Sequence, residues 1–409
     1  MSYLTGIAVW WWWALLLPFP RGWLPALILL SLLALWRPAE RVVALKASAC
    51  WPALVVMLFG LVWMAMGAWH GDAGPAWALT WPCLLALPVS LALSSPRPSM
   101  AWLWSGVAVG GVASGAWGSI QRLQGEARAE GLGSLDAILF GNLALLLGLC
   151  CFAGLGWALS QRRRRGWGVL LLAGGVGGLL ASLLSGTRGG WVTLPLLLPV
   201  FYAGYGHRAT ARQLVGGLGL VLILGMGAYA VPQTGIQDRL QLGMGHVSRY
   251  LDGERGVEVA ARVMIWQTSL ELIAARPLTG WGEEGAWQER SRRYPSLTRY
   301  HHAHNDLLEA WVTRGLPGVL VLIALYLLPL RLFWPGLRAG DPARKSLSVC
   351  GVLLPVAFFG FGLSYSFMAY PVGIAAYCGW LLVLWAYWQG NETKASQGLS
   401  PLARRPTGR

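Results

Sequence analysis

The sequence predicts an all-α polytopic integral membrane protein with about twelve transmembrane helices. Its 409 residues are 56% hydrophobic and only 12% charged, and the mean hydropathy is +0.52. An ordinary soluble domain carries about 25% charged residues. Apolar runs of roughly 17 to 25 residues, the length that crosses a hydrocarbon core about 30 Å thick, recur along nearly the whole chain. Composition and run length therefore lead to the same fold class.

The apolar runs divide into nine predicted spans before the longest polar loop and three after it. The first nine cover residues 6–20, 23–36, 51–69, 76–93, 101–120, 135–159, 166–184, 191–206 and 214–231. The last three cover residues 318–334, 348–365 and 370–388. In the seventh span, the glycine cluster from Gly174 to Gly178 predicts close packing against another helix.

Charge in the short loops predicts the orientation, because loops rich in Lys and Arg stay on the cytoplasmic side. One set of alternate loops holds clusters such as Arg162 to Arg165. The opposite short loops carry only Arg21, Arg122, Arg128 and Arg188. We therefore expect both termini in the cytoplasm and the long loop outside. This bias explains most of the net charge of +15, and the scattered basic residues do not predict a nucleic-acid partner.

The topology divides the chain into three regions. Residues 1–231 hold transmembrane helices 1–9, residues 232–305 form an outer loop with short amphipathic helices, and residues 306–409 hold a short outer helix, helices 10–12 and the cytoplasmic tail. A structureless loop of this length is unusual. Its arginines, which an outward position does not explain, predict an anionic ligand. They are Arg239, Arg249, Arg255, Arg262, Arg276, Arg290, Arg292, Arg293 and Arg299.

The stretch AARVMIWQTSLELIAARPLTGWG predicts an amphipathic helix over the outer face of the membrane. Its apolar residues fall near helical spacing and the pattern stops at Pro277. Arg262 is expected in the first turn, where an arginine opposes the helix dipole. Arg262 is therefore a candidate binding residue, with an ion pair to Glu258 one turn earlier as the alternative.

The stretch HHAHNDLLEAWVTRGLPG leads into the tenth span. It predicts a short helix over about residues 305–314, capped by Asn305 or Asp306 and broken by the glycines and proline that follow. His304 is then expected at the N-terminal end of a helix, beside any anion drawn there. An unperturbed histidine pKa near 6.5 suits proton transfer at neutral pH. The alternative is an interfacial histidine bonded to a backbone carbonyl.

The stretch SGTRGGW joins the seventh and eighth spans on the outer side. Its glycines permit a tight turn that holds Arg188 at or just below the interface. An ionisable residue at that depth is costly and is a functional candidate. The alternative is an anchor that extends its guanidinium to water.

Other polar groups in the outer segment have simpler interpretations. Glu283 and Glu284 are adjacent and predict a solvated turn, and helix capping is favoured for Asp306. The HHAH spacing matches no common structural zinc site, so no metal is expected. All six cysteines lie in or at the edge of apolar spans, which predicts no disulfide framework.

These residues together resemble a known family. A His-Asn pair, nine residues and Gly-x-x-Gly, from His304 to Gly318, is similar to the signature of the O-antigen ligase family and its wider ligase/polymerase superfamily. The family also places one arginine in an SGTRGGW-like turn and another before an apolar helix that ends in Pro-x-x-Gly-x-Gly. Arg188 and Arg262 match these positions. The resemblance covers residues 185–318 specifically and the twelve-span layout more loosely.

The resemblance implies a glycosyltransferase of the bacterial inner membrane that uses no nucleotide sugar, metal or cofactor. Such enzymes move a glycan from undecaprenyl pyrophosphate to the lipid A core oligosaccharide on the periplasmic side, among membrane lipids. In this reading Arg188 and Arg262 bind the pyrophosphate, since guanidiniums suit bidentate anion binding. His304 is the general base of a one-step, inverting displacement, and Asn305 orients the imidazole or contacts sugar.

Two alternatives use similar chemistry and one does not. A polymerase of lipid-linked glycans, or a protein O-oligosaccharyltransferase, would use the same donor and similar arginines. A flippase or transporter of the lipid-linked glycan belongs to another class. Transporters tend to show internal repeats and ionisable residues near mid-membrane, whereas the sequence shows no clear repeat and the candidate residues cluster at one face. A one-sided site favours chemistry over transport.

Overall fold

The structure, a computed structural model, describes residues 2–19, 21–36, 50–94, 97–132, 135–206 and 257–396. Over these residues the protein is all-helical, as predicted. The helices are α1 Ser2–Leu15, α2 Leu24–Ala34, α3 Trp51–His70, α4 Ala73–Thr80, α5 Ala86–Ser94, α6 Met100–Leu123, α7 Ala137–Ala158, α8 Arg164–Ser185, α9 Arg188–Tyr205, α10 Val257–Ala275, α11 Glu283–Arg293, α12 Asp306–Phe333, α13 Pro342–Gly362 and α14 Pro371–Ser396. Short 3-10 turns occupy Trp81–Leu85, Pro295–Leu297, Trp334–Arg338 and Phe367–Ala369.

Within the described ranges, seven helical segments are long and apolar enough to cross a membrane. They are Trp51–His70, Ala73–Ser94, Ala137–Ala158, Arg164–Ser185, Asp306–Arg338, Pro342–Gly362 and Pro371–Gly390. Helices α1, α2, α6 and α9 coincide with four further predicted spans. The ninth predicted span, 214–231, and the loop up to residue 256 lie outside the described residues. The chain is thus a multi-pass membrane protein.

Glycines bring three of the central helices close together. A Cβ at Gly115 of α6 would lie 2.7 Å from the Cα of Gly177 in α8, and one at Gly174 would lie 2.7 Å from the Cα of Ala108. On the other side of α8, a Cβ at Gly148 of α7 would lie 2.9 Å from the Gly175 carbonyl oxygen. The glycine cluster therefore serves helix packing, and this prediction is confirmed.

Helix α10 lies in the predicted outer loop and starts earlier than predicted. It begins at Val257, so Arg262 lies in the second turn, and its prediction in the first turn is wrong. The sequence VEVA before Ala261 contains no proline or glycine that would stop the helix from extending this far. The side chain of Glu258, the alternative partner of Arg262, lies outside the described residues.

The end of α10 packs against the break in α12. Gly315 has a φ of +63° and ψ of −161°, so the helix is interrupted there, as the GLPG sequence predicts. The Leu278 backbone approaches Gly315 so closely that a Cβ would collide with it. The Leu316 N–H donates to the Pro277 carbonyl over 2.9 Å. The RPLTGWG and GLPG stretches, about forty residues apart, thus form one contact.

The corner between α3 and α4 holds the start of α11. His70 Nε2 lies 2.8 Å from the Thr279 carbonyl oxygen, and Asp72 Oδ2 accepts a 2.6 Å hydrogen bond from the Glu283 N–H. A carboxylate at this position also complements the helix dipole. Elements from both halves of the chain are therefore joined at one end of the helical bundle.

Candidate active site

His304 lies in a tight turn directly before α12. Its φ is +51°, in the left-handed region that residues other than glycine seldom adopt. Both polar groups of Ala303 hold this turn. The Ala303 N–H donates to Glu309 Oε2 over 2.5 Å, and Trp266 Nε1 donates to the Ala303 carbonyl over 3.1 Å. Because Trp266 belongs to α10, the helix that carries Arg262 also positions His304.

Asn305 caps α12. Its Oδ1 accepts hydrogen bonds of 3.0 and 3.1 Å from the backbone N–H groups two and three residues later. Asp306 does not act as the cap, and that prediction is wrong. Its carboxylate is buried, accepting from the Met368 N–H over 2.9 Å and from the Tyr326 hydroxyl over 3.4 Å. The Asp306 carboxylate therefore bonds to Met368 and Tyr326, and not to the N–H groups at the start of α12.

Aromatic rings fix the plane of the His304 imidazole. The His302 ring lies 4.3 Å away, centroid to centroid, at an interplanar angle of 66°. Tyr300 and Tyr365 each lie 5.7 Å away. The Nδ1 of His304 is buried and finds no hydrogen-bond partner among the described residues. Packing, with the tight backbone turn, therefore orients this ring.

Two arginines act electrostatically on His304. Arg262 is exposed on α10, whereas Arg290 of α11 is 1% exposed and donates from Nη1 to the Tyr300 carbonyl over 3.3 Å. Burial, together with the charges of Arg262 and Arg290, lowers the pKa of His304 from 6.5 to about 4. Burial also lowers the pKa of Arg290, and the nearby Glu309 carboxylate opposes that effect. At neutral pH His304 is uncharged and able to accept a proton.

A chain of hydrogen bonds links His302 to the start of α7. His302 Nε2 lies 3.0 Å from the Tyr370 hydroxyl, which lies 2.8 Å from the Tyr365 hydroxyl. Tyr365 also lies 2.7 Å from Asp136 Oδ2, and Asp136 caps α7 through Oδ1. Burial raises the pKa of Tyr365, as do its bonds to Tyr370 and Asp136, so this hydroxyl stays protonated. Burial lowers the pKa of His302 to about 3, with smaller contributions from neighbouring positive groups.

The turn that carries Arg188 is attached to the same end of α7. Gly186 ends α8 with a φ of +65°, and Arg188 is the first residue of α9. The Thr187 hydroxyl donates to the Ala137 carbonyl over 2.8 Å. Arg128 Nε donates to the carbonyl that ends α8 over 2.9 Å. Arg188 itself is exposed at this end of the bundle.

A cavity of about 320 Å³ adjoins the histidines, and we name it the outer cavity. Its aromatic walls are Trp63, Trp287 and Tyr370. Its carboxylates are Glu283, Glu284, Asp306 and Glu309. His301, His302 and Arg314 complete its charged or titratable lining. Over the described ranges, no three His, Cys, Asp or Glu side chains are grouped so that they could hold a metal ion.

Among the described residues that line the outer cavity, carboxyl groups outnumber guanidiniums, and its arginine is paired with one of these carboxylates. Arg314 Nη2 bonds to Glu283 Oε1, and its guanidinium lies 4.6 Å from the centroid of Trp63. Arg314 is 4% exposed. The prediction of a solvated turn is therefore wrong, because both residues lie in the first turn of α11. Glu283 pairs with a distant buried cation, and Glu284 is exposed.

The structure brings some predicted site residues together and adds others. His304 and Arg262 meet at one place, and Arg188 reaches the same end of the bundle through α7. Arg290 appeared in the sequence only as one of many loop arginines, and His302 only as a neighbour of His304. Their roles come from burial and from contacts distant in sequence. In the sequence, the HHAH cluster was the one sign that His302 belongs to the site.

Comparison with known proteins agrees with the motif analysis. A family model described as O-antigen ligase matches residues 173–323, which includes Arg188, Arg262, His304 and the GLPG break. An uncharacterized protein of Haemophilus influenzae is 28% identical over 205 residues, covering 48% of this chain. The alignment spans about half the relative's length, 51%. The resemblance seen in the motifs is thereby confirmed: residues 173–323 match the O-antigen ligase family model.

Proposed function

We propose that this protein is an O-antigen ligase of the bacterial inner membrane. It transfers the O-antigen glycan from undecaprenyl pyrophosphate to the lipid A core oligosaccharide in lipopolysaccharide biosynthesis. The observation that carries the proposal is the setting of His304, a neutral imidazole in a strained turn beside Arg262 and Arg290. This arrangement combines a proton acceptor with binding groups for an anionic leaving group. The family match over residues 173–323 supports it.

The proposed topology has twelve spans with both termini in the cytoplasm. Residues 232–305 are periplasmic, and the reaction takes place on that side. Support comes from the positive charge of the alternate loops. It also comes from the gathering of α10, α11 and the His304 turn at the bundle end opposite the Arg162 to Arg165 cluster. A periplasmic site meets a lipid-linked donor after that donor has crossed the membrane.

In the proposed donor complex, Arg188 and Arg262 bind the pyrophosphate. Each guanidinium presents a fixed fork of donors and remains charged at any physiological pH. These donors also stabilise the negative charge that grows on the departing phosphate oxygen. We therefore propose a reaction that needs no metal. Arg290 is too buried to bind the pyrophosphate. Its role in this scheme is to lower the pKa of His304.

His304 acts as the general base in this scheme. It accepts the proton of an acceptor hydroxyl while that oxygen bonds to the anomeric carbon of the donor. The bond from this carbon to the pyrophosphate oxygen breaks in the same step, and the leaving group keeps the electron pair. Attack from the opposite face inverts the anomeric configuration. Asn305 uses Oδ1 for the helix cap, which leaves its Nδ2 to contact the sugar or the imidazole.

Donor binding raises the pKa of His304. In the free protein, burial and the two arginines hold the pKa of His304 near 4, which makes it a weak base. Pyrophosphate brings negative charge next to one of these two arginines, Arg262. That charge favours the protonated imidazole and raises its proton affinity. The base thus strengthens when the leaving group is in place.

The test is transfer by the purified full-length protein in lipid nanodiscs with a chelator present. The donor is an undecaprenyl-pyrophosphate glycan, offered separately with lipid A core, with a second lipid-linked glycan and with a serine-rich protein. Glycosylated lipid A core is the expected product. Elongated lipid-linked glycan would identify a polymerase, and glycosylated protein an oligosaccharyltransferase. Donor movement across proteoliposomes without any transfer would identify a transporter.

A further inference from the structure

We propose that the outer cavity binds an uncharged sugar ring of the acceptor and excludes phosphorylated sugars. This inference rests on the proposed function and adds to it the chemistry of the acceptor subsite. The cavity is separate from the arginines that receive the pyrophosphate. Its walls, its charge and its position relative to the histidines each support the assignment.

The size of the outer cavity suits a short piece of glycan. Its volume of about 320 Å³ lies at the lower end of the roughly 300–1,000 Å³ that ligand pockets occupy. A sugar ring or two fits in such a space, whereas a polymer does not. The cavity therefore admits the end of an oligosaccharide.

Trp287 provides a fixed aromatic wall. Its Nε1 donates to the Thr298 carbonyl over 2.9 Å, and its ring stacks on His301 with centroids 5.3 Å apart at 15°. These contacts set the plane of the indole before any ligand arrives. The negative face of an aromatic ring attracts the positive C–H groups on one face of a pyranose. A preset indole thus favours a sugar with little loss of side-chain freedom.

Trp63 lines the same cavity and carries an unsatisfied hydrogen-bond donor. It is 2% exposed, and its Nε1 is buried without a hydrogen-bond partner among the described residues. A buried donor of this kind is normally satisfied. Arg314 covers the Trp63 ring and holds it in place. A sugar oxygen that accepts from Nε1 would satisfy this group.

The carboxyl groups of the outer cavity favour neutral sugars over anionic ones. Glu309 and Glu284 accept hydrogen bonds from protein donors, but a carboxylate has about four acceptor positions, so sugar hydroxyls can donate to the rest. Among the described residues of the lining, Arg314 carries the one guanidinium, and it is already paired with Glu283. A phosphate would meet like charge here. Hydroxyl groups, in contrast, are bound by the same oxygens.

The outer cavity and Arg262 are related to the histidine pair through different residues. His302 lines the cavity and its ring contacts His304, whereas Arg262 lines no part of the cavity and acts on His304. An acceptor held in the cavity therefore approaches the histidines from the acidic side. The pyrophosphate approaches from the basic side. This separation keeps the two substrates from competing for one set of charges.

The experiment measures sugar binding without transfer. Saturation-transfer-difference NMR on the full-length protein in nanodiscs gives the affinity for dephosphorylated core oligosaccharide, without any donor. Trp287→Ala should weaken this binding by about fivefold to tenfold, and Trp287→Phe should restore most of it. The control Trp69→Ala removes a 73% exposed indole at the end of α3 and should leave binding unchanged. Excess hexose 6-phosphate should not displace the oligosaccharide.

Two results would overturn the proposal: equal binding by wild type and Trp287→Ala, or displacement by hexose 6-phosphate. Affinity for farnesyl pyrophosphate should be the same in all variants, which excludes misfolding as the cause of a loss. The subsite and the ligase function fail separately. Trp287-dependent sugar binding without transfer to lipid A core contradicts the ligase alone. Transfer with Trp287-independent binding contradicts the subsite alone.

Discussion

Trp266 Nε1 donates a 3.1 Å hydrogen bond to the carbonyl oxygen of Ala303, the residue before His304. Trp266 lies one helical turn after Arg262 on α10. The bond therefore joins the helix of the proposed pyrophosphate ligand to the turn of the proposed base. Ala261 and Ile265, on either side of Arg262, pack in the same small cluster as Ala303. The residues proposed for binding and for proton transfer are thus joined at this one contact.

Replacing Trp266 by Phe should lower kcat by about tenfold, because small displacements of a base are costly. The ring packing is retained, while the Ala303 carbonyl loses its partner at a cost of about 1 kcal/mol. The affinity for farnesyl pyrophosphate should change little. The matched control is Trp311→Phe, which removes an indole bond of 3.0 Å to the Pro277 carbonyl. Similar kcat values for the two variants would contradict a special role for the Ala303 bond.

The acid limb of kcat/KM should lie well below pH 6.5, because the free enzyme holds the pKa of His304 near 4. Activity requires the deprotonated ring, so it falls as the pH drops through that pKa. Arg262→Gln removes a positive charge that lowers this pKa, so its acid limb should move toward neutral pH. The quantity compared is the pH at which the acid limb falls, and not the height of the pH profile. An unmoved or more acidic limb would show that Arg262 does not act on the titrating base.

Tyr370→Phe should reduce kcat by about threefold to tenfold with little change in KM. The hydroxyl joins His302 to Tyr365 and through it to the α7 cap. Without it, His302 loses the contact that fixes its ring against His304. Steady-state transfer assays measure the effect, with Tyr294→Phe as the control in the same outer segment. A lowered affinity for donor with unchanged kcat would assign Tyr370 to binding instead.

Arg290→Met should destabilise the protein by about 3–5 kcal/mol, because it removes a buried cation that faces the Glu309 carboxylate. The thermal unfolding midpoint in nanodiscs reports the change. The double variant Arg290→Met, Glu309→Gln should recover part of the loss. Arg292→Met is the control, since Arg292 has an exposed side chain bound to Glu289 and its loss should matter little. Equal midpoints for the two single variants would contradict the buried charge pairing.

Arg188→Lys should weaken binding of farnesyl pyrophosphate by about tenfold, since an ammonium cannot reproduce the two parallel bonds of a guanidinium. Titration calorimetry in nanodiscs measures this affinity. Arg122→Lys changes an arginine at the outer end of α6 and should leave affinity unaltered. If both variants weaken binding equally, the effect is general surface charge and Arg188 is no specific ligand.

The helices were predictable because hydropathy and turn chemistry are local. Spans such as α7 and α13 appear where apolar runs predict them. The break at Gly315 and the cap at Asn305 follow from residue types within a few positions. The resemblance at Arg188, Arg262 and His304 also rests on short motifs, which a single sequence displays directly.

The inner organisation of the site was not predictable, because it depends on contacts between distant residues. Asp136 and Tyr365 are 229 positions apart, and Asp72 and Glu283 are 211 apart. Composition does not distinguish a buried arginine from an exposed one, so Arg290 looked like its neighbours in the loop. The outer cavity likewise draws its walls from segments that have no common pattern in sequence.

His304 is proposed as the base of a metal-independent transfer. The direct measurement is the rate of glycan transfer to lipid A core by wild type and His304→Ala in nanodiscs with a chelator present. We predict transfer by wild type, a loss of about 10²–10⁴-fold in the variant, and equal affinity of both proteins for farnesyl pyrophosphate. Undiminished transfer by His304→Ala would contradict the account.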